Sequence, residues 1–399
     1  MMRTAIIGIA ALLIATPARG AQEATAAAGQ AATAQAEAVK EARKVAREAA
    51  RAQRIERAQR ELDKREDQKA QQSETISRTV KLGPQGEIDL QNMSGDITVT
   101  RGGGDQAAIT AVKTARAATD AEAKDMLSRV TVEITERAGR VEVRPHYLHG
   151  ESTAPPPPPP PPAGGGVPRA PRPPRTDRHH GINVSVAFTI TAPAGAKLRV
   201  KSMSGDITVS DITGDLILEA MSGDVKIERA ARVLTARTMS GDVVLTDVKS
   251  DGAVDAGSMS GDVSLKQVKA RRLNTSVISG TVSLTDVECE RLDAQTTSGD
   301  VIYEGPLAKG GRYHFQSHSG DVKLMIGGNT GFELDANSWG GNIQTELTLT
   351  NRVGDAPDPP GGRPGRRIRT LRGTYGDGSA VLDLTTFSGT IVVARRAGR

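Results

Sequence analysis

Apolar and polar residues alternate in short stretches along most of this chain, and the same stretch returns many times. In each copy an apolar residue stands three positions after a serine and another stands two positions later, as Val225 and Ile227 do after Ser222. Such alternation is typical of a strand that buries one face. A second alternating stretch in each copy predicts further inward residues. These are Leu216 and Leu218, Leu234 and Ala236, Val254 and Ala256, Leu273, and Leu292 and Ala294.

The copies are marked by the tripeptide Ser-Gly-Asp. It begins at Ser204, Ser222, Ser240, Ser260, Ser279 (as Ser-Gly-Thr), Ser298 and Ser319, and returns as Gly-Gly-Asn at Gly340. The steps between copies are 18, 18, 20, 19, 19, 21 and 21 residues. A unit this short cannot bury its own apolar face and must stack on its copies. The predicted fold class is all-β, a single-chain β-solenoid with coils of about 19 residues spaced ~4.8 Å apart.

The tripeptide has the chemistry of a corner. Glycine reaches positive φ without steric cost, and an adjacent aspartate can accept hydrogen bonds from backbone amides where the chain bends. The predicted structural corner residues are Gly205, Gly223, Gly241, Gly261, Gly280, Gly299 and Gly320.

Stacked corners would also place carboxylates in one column, consisting of Asp206, Asp224, Asp242, Asp262, Asp300 and Asp321. Carboxylates ~4.8 Å apart repel each other by roughly 3 to 4 kcal/mol at an effective dielectric constant of ~20, so something must offset the charge. Corner capping with solvation is the simpler interpretation. A Ca²⁺ column is the alternative, because hard cations take oxygen ligands. Neutral residues at the aspartate position, namely Thr281, Asn342 and Thr390, argue against a required metal, and no cofactor is predicted.

With these serial corners the chain resembles the bacterial putative-adhesin family of β-strand-repeat domains, whose members carry repeated Gly-Asp-Val or Gly-Asp-Ile. The resemblance extends over residues 80–148 and 182–394. It implies an exported or membrane-associated β-solenoid of the bacterial envelope. It brings no catalytic motif, and the function of the family is largely unknown.

The N-terminus has the features of a secretory signal peptide over residues 1–20, with Arg3, an apolar run over residues 5–15, and small residues at Ala18 and Gly20. Residues 21–75 form an Ala-, Arg- and Glu-rich arm that is either a solvated helix or disordered. Residues 76–150 are predicted to be the N-terminal part of the solenoid, with a capping helix over 120–130 and a hairpin around Ala138-Gly139. A proline-rich basic insertion follows at 151–181. The repeats occupy 182–396, with a second insertion near 353–368.

Charge is balanced across the chain and basic only locally. The formal net charge of +5 falls to +3 when Arg3 and Arg19 are lost with the signal peptide, which gives no general attraction to an anionic partner and excludes a nucleic-acid-binding class. Local basic stretches lie at 169–178 and 366–372. Beyond the N-terminal run, no stretch approaches the ~20 apolar residues of a spanning helix, so no transmembrane segment is expected in the mature chain.

Isolated reactive residues do not form a catalytic set. Cys289 stands between Glu288 and Glu290, which disfavour a thiolate, and it is expected to be inert. His314 and His318 share one face of a predicted strand, but spacing suggests no third metal ligand. Trp339 occupies the position that methionine holds in earlier copies and is expected to close the core near the last regular coil, with carbohydrate stacking as the alternative.

Together these features predict an exported protein of the periplasm or cell surface with a structural, adhesive or binding role and no catalysis. The expected partner is an envelope polymer or a protein. A carbohydrate-active enzyme or polysaccharide-binding protein on a β-helix scaffold is one alternative, and an envelope-signalling scaffold is another. The oligomeric state is left open.

Overall fold

The computed structural model describes residues 70–137, 139–148, 184–353 and 369–396. All of them lie in one compact unit, Ala70–Arg399. The other unit, Met1–Lys69, lies outside the described residues, as do the predicted signal peptide and the insertion at 151–181. Residues 70–75, which the sequence assigned to the charged arm, are described and form part of a strand.

The described residues form 26 strands and one short helix. The N-terminal part contains β1 (Ala70–Lys81), β2 (Glu87–Asn92), β3 (Ile97–Arg101), β4 (Gln106–Ala117), α1 (Asp120–Ser128), β5 (Val130–Arg137) and β6 (Arg140–Tyr147). The middle contains β7 (Val184–Ala192), β8 (Lys197–Ser204), β9 (Ile207–Ser210), β10 (Asp215–Ser222), β11 (Val225–Ala230), β12 (Arg232–Ser240), β13 (Val243–Lys249), β14 (Ala253–Ser260), β15 (Val263–Ser279) and β16 (Val282–Thr285). The C-terminal part contains β17 (Glu288–Ser298), β18 (Val301–Pro306), β19 (Arg312–Ser319), β20 (Val322–Gly327), β21 (Phe332–Ser338), β22 (Ile343–Thr345), β23 (Thr350–Val353), β24 (Arg369–Tyr375), β25 (Ala380–Ser388) and β26 (Ile391–Arg395).

Parallel pairing in register produces a solenoid-like all-β arrangement. The strands that precede each Ser-Gly-Asp pair with one another, as β8, β10, β12 and β14 do, and the strands that follow it pair separately, as β9, β11 and β13 do. Val225 lies between Ile207 and Val243 in this register, and all three side chains are fully buried. The apolar residues of each repeat therefore stack on those of the next and form one continuous core.

The parallel stacks change to antiparallel strands at both ends. On the N-terminal side β5 pairs antiparallel with β6, and both β1 and β7 pair antiparallel with β4. Helix α1 follows, with its first turn capped by the Thr119 hydroxyl, and it buries Ala123 and Leu127. On the C-terminal side β24 pairs antiparallel with β21 and with β23. These added strands cover the parallel edges that open stacks would expose.

The stacking order at the C-terminal end differs from the order along the chain. Strand β25 pairs parallel with β19 on one side and with β21 on the other, and β26 lies in the same way between β20 and β22. The corner at Ser319 is therefore followed in space by Ser388, and the corner at Gly340 comes after that. The sequence prediction that the Gly340 copy is the direct successor of the Ser319 copy is wrong. The final repeat is paired with a neighbour on each side, which periodicity alone does not reveal.

The sequence interpretation also placed Leu234 inward, and the structure places it outward. Leu234 is 41% exposed, while Val233 and Ala236 are fully buried. The register between β10 and β12 shifts by one residue at Leu216/Ile217, so that β12 contains an extra residue in a β-bulge. Leu234 is that extra residue, since Val233 pairs with Leu216 and Thr235 pairs with Ile217, and the bulge places its side chain outside the core.

Candidate functional site

The corner glycines adopt a backbone conformation that other residues rarely reach. All seven predicted corner glycines have φ between +120° and +149°. At Gly241, with a φ of +136°, an added Cβ would overlap the carbonyl oxygen of Gly223 in the neighbouring repeat. Both the positive φ and the close approach of two backbones therefore require glycine at this position.

The corner aspartates bind the backbone of the neighbouring repeat. One carboxylate oxygen of Asp206 accepts the amide of Asp224 at 2.9 Å, and that of Asp224 accepts the amide of Asp242 at 2.8 Å. The same bond joins Asp242 to Asp262, Asp262 to Thr281, Asp300 to Asp321, and Asp321 to Thr390, at 2.7 to 2.9 Å. Each carboxylate thus receives a backbone donor, which offsets part of the repulsion along the column.

A second column at the corner consists of buried hydroxyl groups, which the sequence reasoning missed. In five repeats, a buried serine or threonine two positions before the motif serine donates to the carbonyl oxygen of the corner glycine in the neighbouring repeat, whereas Ala220 and Val277 hold this position in two others. Thr238 donates to Gly223 at 2.9 Å, and Ser258 donates to Gly241 at 2.8 Å. Thr296, Ser317 and Thr386 donate in the same way to Gly280, Gly299 and Gly320. The sequence signal that could have predicted this column is the serine or threonine that recurs two residues before the motif in most repeats.

An outer column of side chains that face away from the core runs beside the corners, one residue before the first residue of each motif. Its members, in spatial order, are Met93, Met203, Met221, Met239, Met259, Ile278, Thr297, His318, Phe387 and Trp339. The five methionines and Ile278 are 44 to 49% exposed. We call the first five members the methionine column. Beside Met259 and Ile278 lies an open groove of about 590 Å³ whose floor includes Gly257 and Ser276.

The aromatic members of the outer column stack on each other. The His318 and Phe387 rings are 4.8 Å apart and nearly parallel, and the Phe387 and Trp339 rings are 6.3 Å apart. Trp339 is only half-buried and lies outside the core, so the expectation that it closes the core is wrong. An inward position is instead occupied by its fully buried neighbour Ser338. Because the rings cover one another, both faces of Phe387 are unavailable for stacking on a sugar.

Three arginines form another column on the same side of the repeats. Arg272, Arg291 and Arg312 lie in register on neighbouring strands and are exposed. None of the three side chains has an ion pair or hydrogen bond to another residue in the described part of the chain. They line a groove of about 590 Å³ with Gly252 and Gly310, and a second groove of about 640 Å³ that also contains Asp293 and Asp383. We call these residues the arginine column.

The remaining candidate groups have structural partners. Burial raises the pKa of the Cys289 thiol to about 12, which keeps it protonated. His314 lies 3.3 Å from Asp383, whereas His318 stacks on Phe387, so these two histidines are directed to different neighbours. The Arg229 guanidinium lowers the pKa of Asp211, which it contacts at 2.7 Å. Over residues 70–137, 139–148, 184–353 and 369–396, no three His, Cys, Asp or Glu side chains form a metal-binding group.

No helix within the described ranges is long and apolar enough to cross a membrane.

Comparison with known proteins identifies the family and similar solved structures. A family model described as Toastrack DUF4097 matches residues 66–394. A protein from Bacteroides fragilis described as a putative adhesin is 12% identical, with 80% of this chain and 96% of that chain covered and a TM-score of 0.35. A putative lipid binding protein from Parabacteroides distasonis is 11% identical over 63% of this chain and 91% of its own, with a TM-score of 0.31. A putative cell adhesion protein from Clostridium sporogenes is 9% identical over 82% and 100% of the two chains, with a TM-score of 0.19. No curated protein matches the chain.

Proposed function

We propose, from the premise that this chain belongs to the Toastrack DUF4097 family, that it is an exported, non-catalytic binding protein of the bacterial envelope. Its scaffold is a β-solenoid built of coils of 18 to 21 residues. Its ligand is a linear polyanion that carries repeated carboxylate or phosphate groups. The arginine column is the observation that carries this assignment.

The three guanidinium groups of the arginine column lie in register and repel one another when no anionic ligand is bound. At a rung spacing of about 4.8 Å, each neighbouring pair repels by roughly 1 kcal/mol in water and by about 3.5 kcal/mol at an effective dielectric constant of 20. Several other basic residues of the surface do have acidic partners, as Lys201 has in Glu219 at 2.8 Å and Arg229 has in Asp211 at 2.7 Å. Acidic groups do line the grooves, but none lies within ion-pair distance of the column.

A linear polyanion fits this column better than a single small anion does. Guanidinium groups bind carboxylates and phosphates through two parallel hydrogen bonds, and the regular spacing of the column suits a ligand with regularly spaced charges. Gly252 and Gly310 leave space beside the arginines for the polymer backbone.

The test is binding of the mature chain to polygalacturonate and to polyphosphate, which distinguish a carboxylate ligand from a phosphate ligand. We expect Arg272→Gln, Arg291→Gln and Arg312→Gln together to weaken binding to the preferred polymer by at least about tenfold, and we expect the wild-type affinity to fall as salt increases. A matched variant, Lys201→Gln with Lys226→Gln and Arg229→Gln, removes the same charge from ion-paired positions and should retain binding. Equal loss in both variants, or no binding by the wild type, would refute the proposal.

The absence of catalysis is part of this proposal. In its support, the corner carboxylates accept backbone amides and the Cys289 thiol is buried. The opposing function is a carbohydrate-active enzyme, which needs free acids and bases that converge on a substrate. Incubation of the mature chain with polygalacturonate should release no new reducing or unsaturated ends, and release of either would favour the enzyme.

Export is proposed from residues 1–20, which lie outside the described residues. A basic residue, an apolar run and a small-residue cleavage site together are typical of a signal peptide. Mass spectrometry of the protein from the envelope fraction should find a mature chain that begins at Ala21, and deletion of residues 1–20 should leave the protein in the cytoplasm. An intact N-terminus in the cytoplasmic fraction would contradict export.

A further inference from the structure

Methionine is concentrated at one position of the repeat. The chain contains nine methionines, and five of them form the methionine column. Met93 directly follows β2, and the other four lie on the neighbouring strands β8, β10, β12 and β14. Their neighbours pair in register along these strands, with Asn92 beside Ser202, Ser202 beside Ala220, Ala220 beside Thr238 and Thr238 beside Ser258. The five side chains are therefore stacked directly on one another, about 4.8 Å apart at their origin on the backbone.

Neither the strand nor the core explains the choice of methionine. Outward positions of a strand favour β-branched, aromatic or polar residues, and methionine has no special preference for them. The five side chains are 44 to 49% exposed, so they are not selected to fill a gap in the core. Leucine would supply the same apolar surface. The feature that methionine adds is its thioether sulfur, a soft and polarizable donor.

A row of thioethers matches the coordination preference of a soft monovalent metal ion. Soft sulfur ligands select Cu(I), whereas carboxylates and imidazoles suit harder ions. Each methionine side chain has three rotatable bonds, so two or three neighbouring sulfurs can converge on one ion between the rungs. We propose that the methionine column is a Cu(I)-binding site whose ligands are the thioethers of successive repeats.

The nearest histidine of the outer column and the cysteine lie away from the methionine column. His318 belongs to the same outer column, but two strands separate it from Met259, and its ring is stacked on Phe387. Cys289 is 3% exposed and faces the core. Among the described residues, no group of three His, Cys, Asp or Glu could hold a metal ion, so the site is predicted to have sulfur ligands only and to prefer Cu(I) over Zn²⁺.

The experiment is an anaerobic competition between the mature chain and the chromophoric Cu(I) complex of bicinchoninate, with ascorbate present. The wild type should remove Cu(I) from the complex, Ag(I) should compete for the same site, and Zn²⁺ should not. Met221→Leu, Met239→Leu and Met259→Leu together preserve the apolar surface and remove three sulfurs, and the affinity should fall by about a hundredfold or more. X-ray absorption of the wild-type complex should show sulfur neighbours only.

A matched control removes methionines outside the column. Met126→Leu with Met325→Leu should bind Cu(I) as the wild type does, because Met126 lies in α1 and Met325 lies in β20. The triple variant should also keep the wild-type melting temperature, and Met239→Leu alone serves if the triple variant does not fold. Undiminished Cu(I) binding by folded column variants, nitrogen ligands in the absorption spectrum, or failure of the wild type to compete would each overturn the site. None of these results depends on the arginine column.

Discussion

Gly241 illustrates at the scale of one residue how the corner limits the sequence. Its φ of +136° is strained for any L-residue, and a Cβ would overlap the carbonyl oxygen of Gly223. We expect Gly241→Val to lower the free energy of unfolding by about 3 kcal/mol or more, since backbone strain and a steric clash add. Thermal and denaturant unfolding measure this loss.

Gly103→Ala is the matched control for that substitution. Gly103 is not among the glycines with positive φ, and an added Cβ there would meet no atom within 4 Å. Its unfolding free energy should change by no more than about 0.5 kcal/mol. Similar losses for the two variants would show that the corner conformation is not the cause.

The buried hydroxyl of Thr296 has an adjacent exposed counterpart in Thr297. Thr296 donates to the carbonyl oxygen of Gly280 at 3.2 Å, whereas Thr297 is exposed in the outer column. Thr296→Val keeps the shape and leaves a buried carbonyl without this donor, so we expect a loss of about 1 to 3 kcal/mol in the free energy of unfolding. Thr297→Val should have little effect. Equal stability of the two variants would mean that the hydroxyl column does not stabilise the corner.

At the scale of the element, the corner aspartates connect one repeat to the next by accepting hydrogen bonds from backbone amides. A Ca²⁺ ion that binds only the folded protein would stabilise it by about 2.7 kcal/mol at a hundredfold excess over Kd. Because Asp224 and Asp242 each already accept a backbone amide, we expect millimolar Ca²⁺ or EDTA to leave the melting temperature nearly unchanged. The measurement is a melting series with each addition. A rise of several degrees with Ca²⁺ that disappears in Asp224→Asn with Asp242→Asn would identify the carboxylates as metal ligands.

The sequence predicts the strand after each corner well and the strand before it less well. Valine and leucine three and five positions after the motif serine are fixed by the tight corner, which leaves no room for an extra residue. Each repeat has a second turn, between the strand that follows one corner and the strand that precedes the next corner, and this turn tolerates irregular backbone conformations. Asp211, Arg229, Asp247, Gln267 and Asp286 adopt positive φ there, with values of 51° to 62°, and the bulge at β12 follows one such turn. Arginine and glutamine carry no signal for that conformation, so the outward position of Leu234 could not be read from the pattern.

The candidate sites also differ in how far the sequence predicts them. The corner glycines are visible in the sequence because their tripeptide repeats. The arginine and methionine columns depend on which residues of different repeats become neighbours, and their members become significant only once the register is known. Trp339 was misplaced for a related reason, since a large aromatic residue was expected in the core of a chain that has few.

At the scale of the described unit, the final repeat should determine whether the C-terminal end folds. Removal of residues 369–399 deletes β24, which pairs with β21 and β23. It also deletes β25 and β26, which pair with β19 and β20 on one side and with β21 and β22 on the other. We expect the truncated chain to melt at a lower temperature and to be cleaved rapidly by protease over residues 322–345, because parallel edges and buried apolar residues such as Leu324 and Leu334 lose their partners.

Deletion of residues 397–399 alone is the control, since β26 ends at Arg395. That variant should melt with the full-length chain and resist protease equally. If the longer truncation behaves in the same way, the last repeat is not needed to hold β21 and β22 in place.

The position of the last repeat also separates the order in which the chain is made from the order in which it can assemble. Repeats from β8 to β20 can be added one after another as they emerge from the ribosome or from a translocation channel. The copy at residues 332–345 cannot be added next, because β25 and β26, at residues 380–395, lie between it and the preceding strands β19 and β20. Folding of the C-terminal end is therefore complete only after the last residues of the chain have been released. A prematurely terminated chain would leave the strand edges of β19 and β20 without their partners.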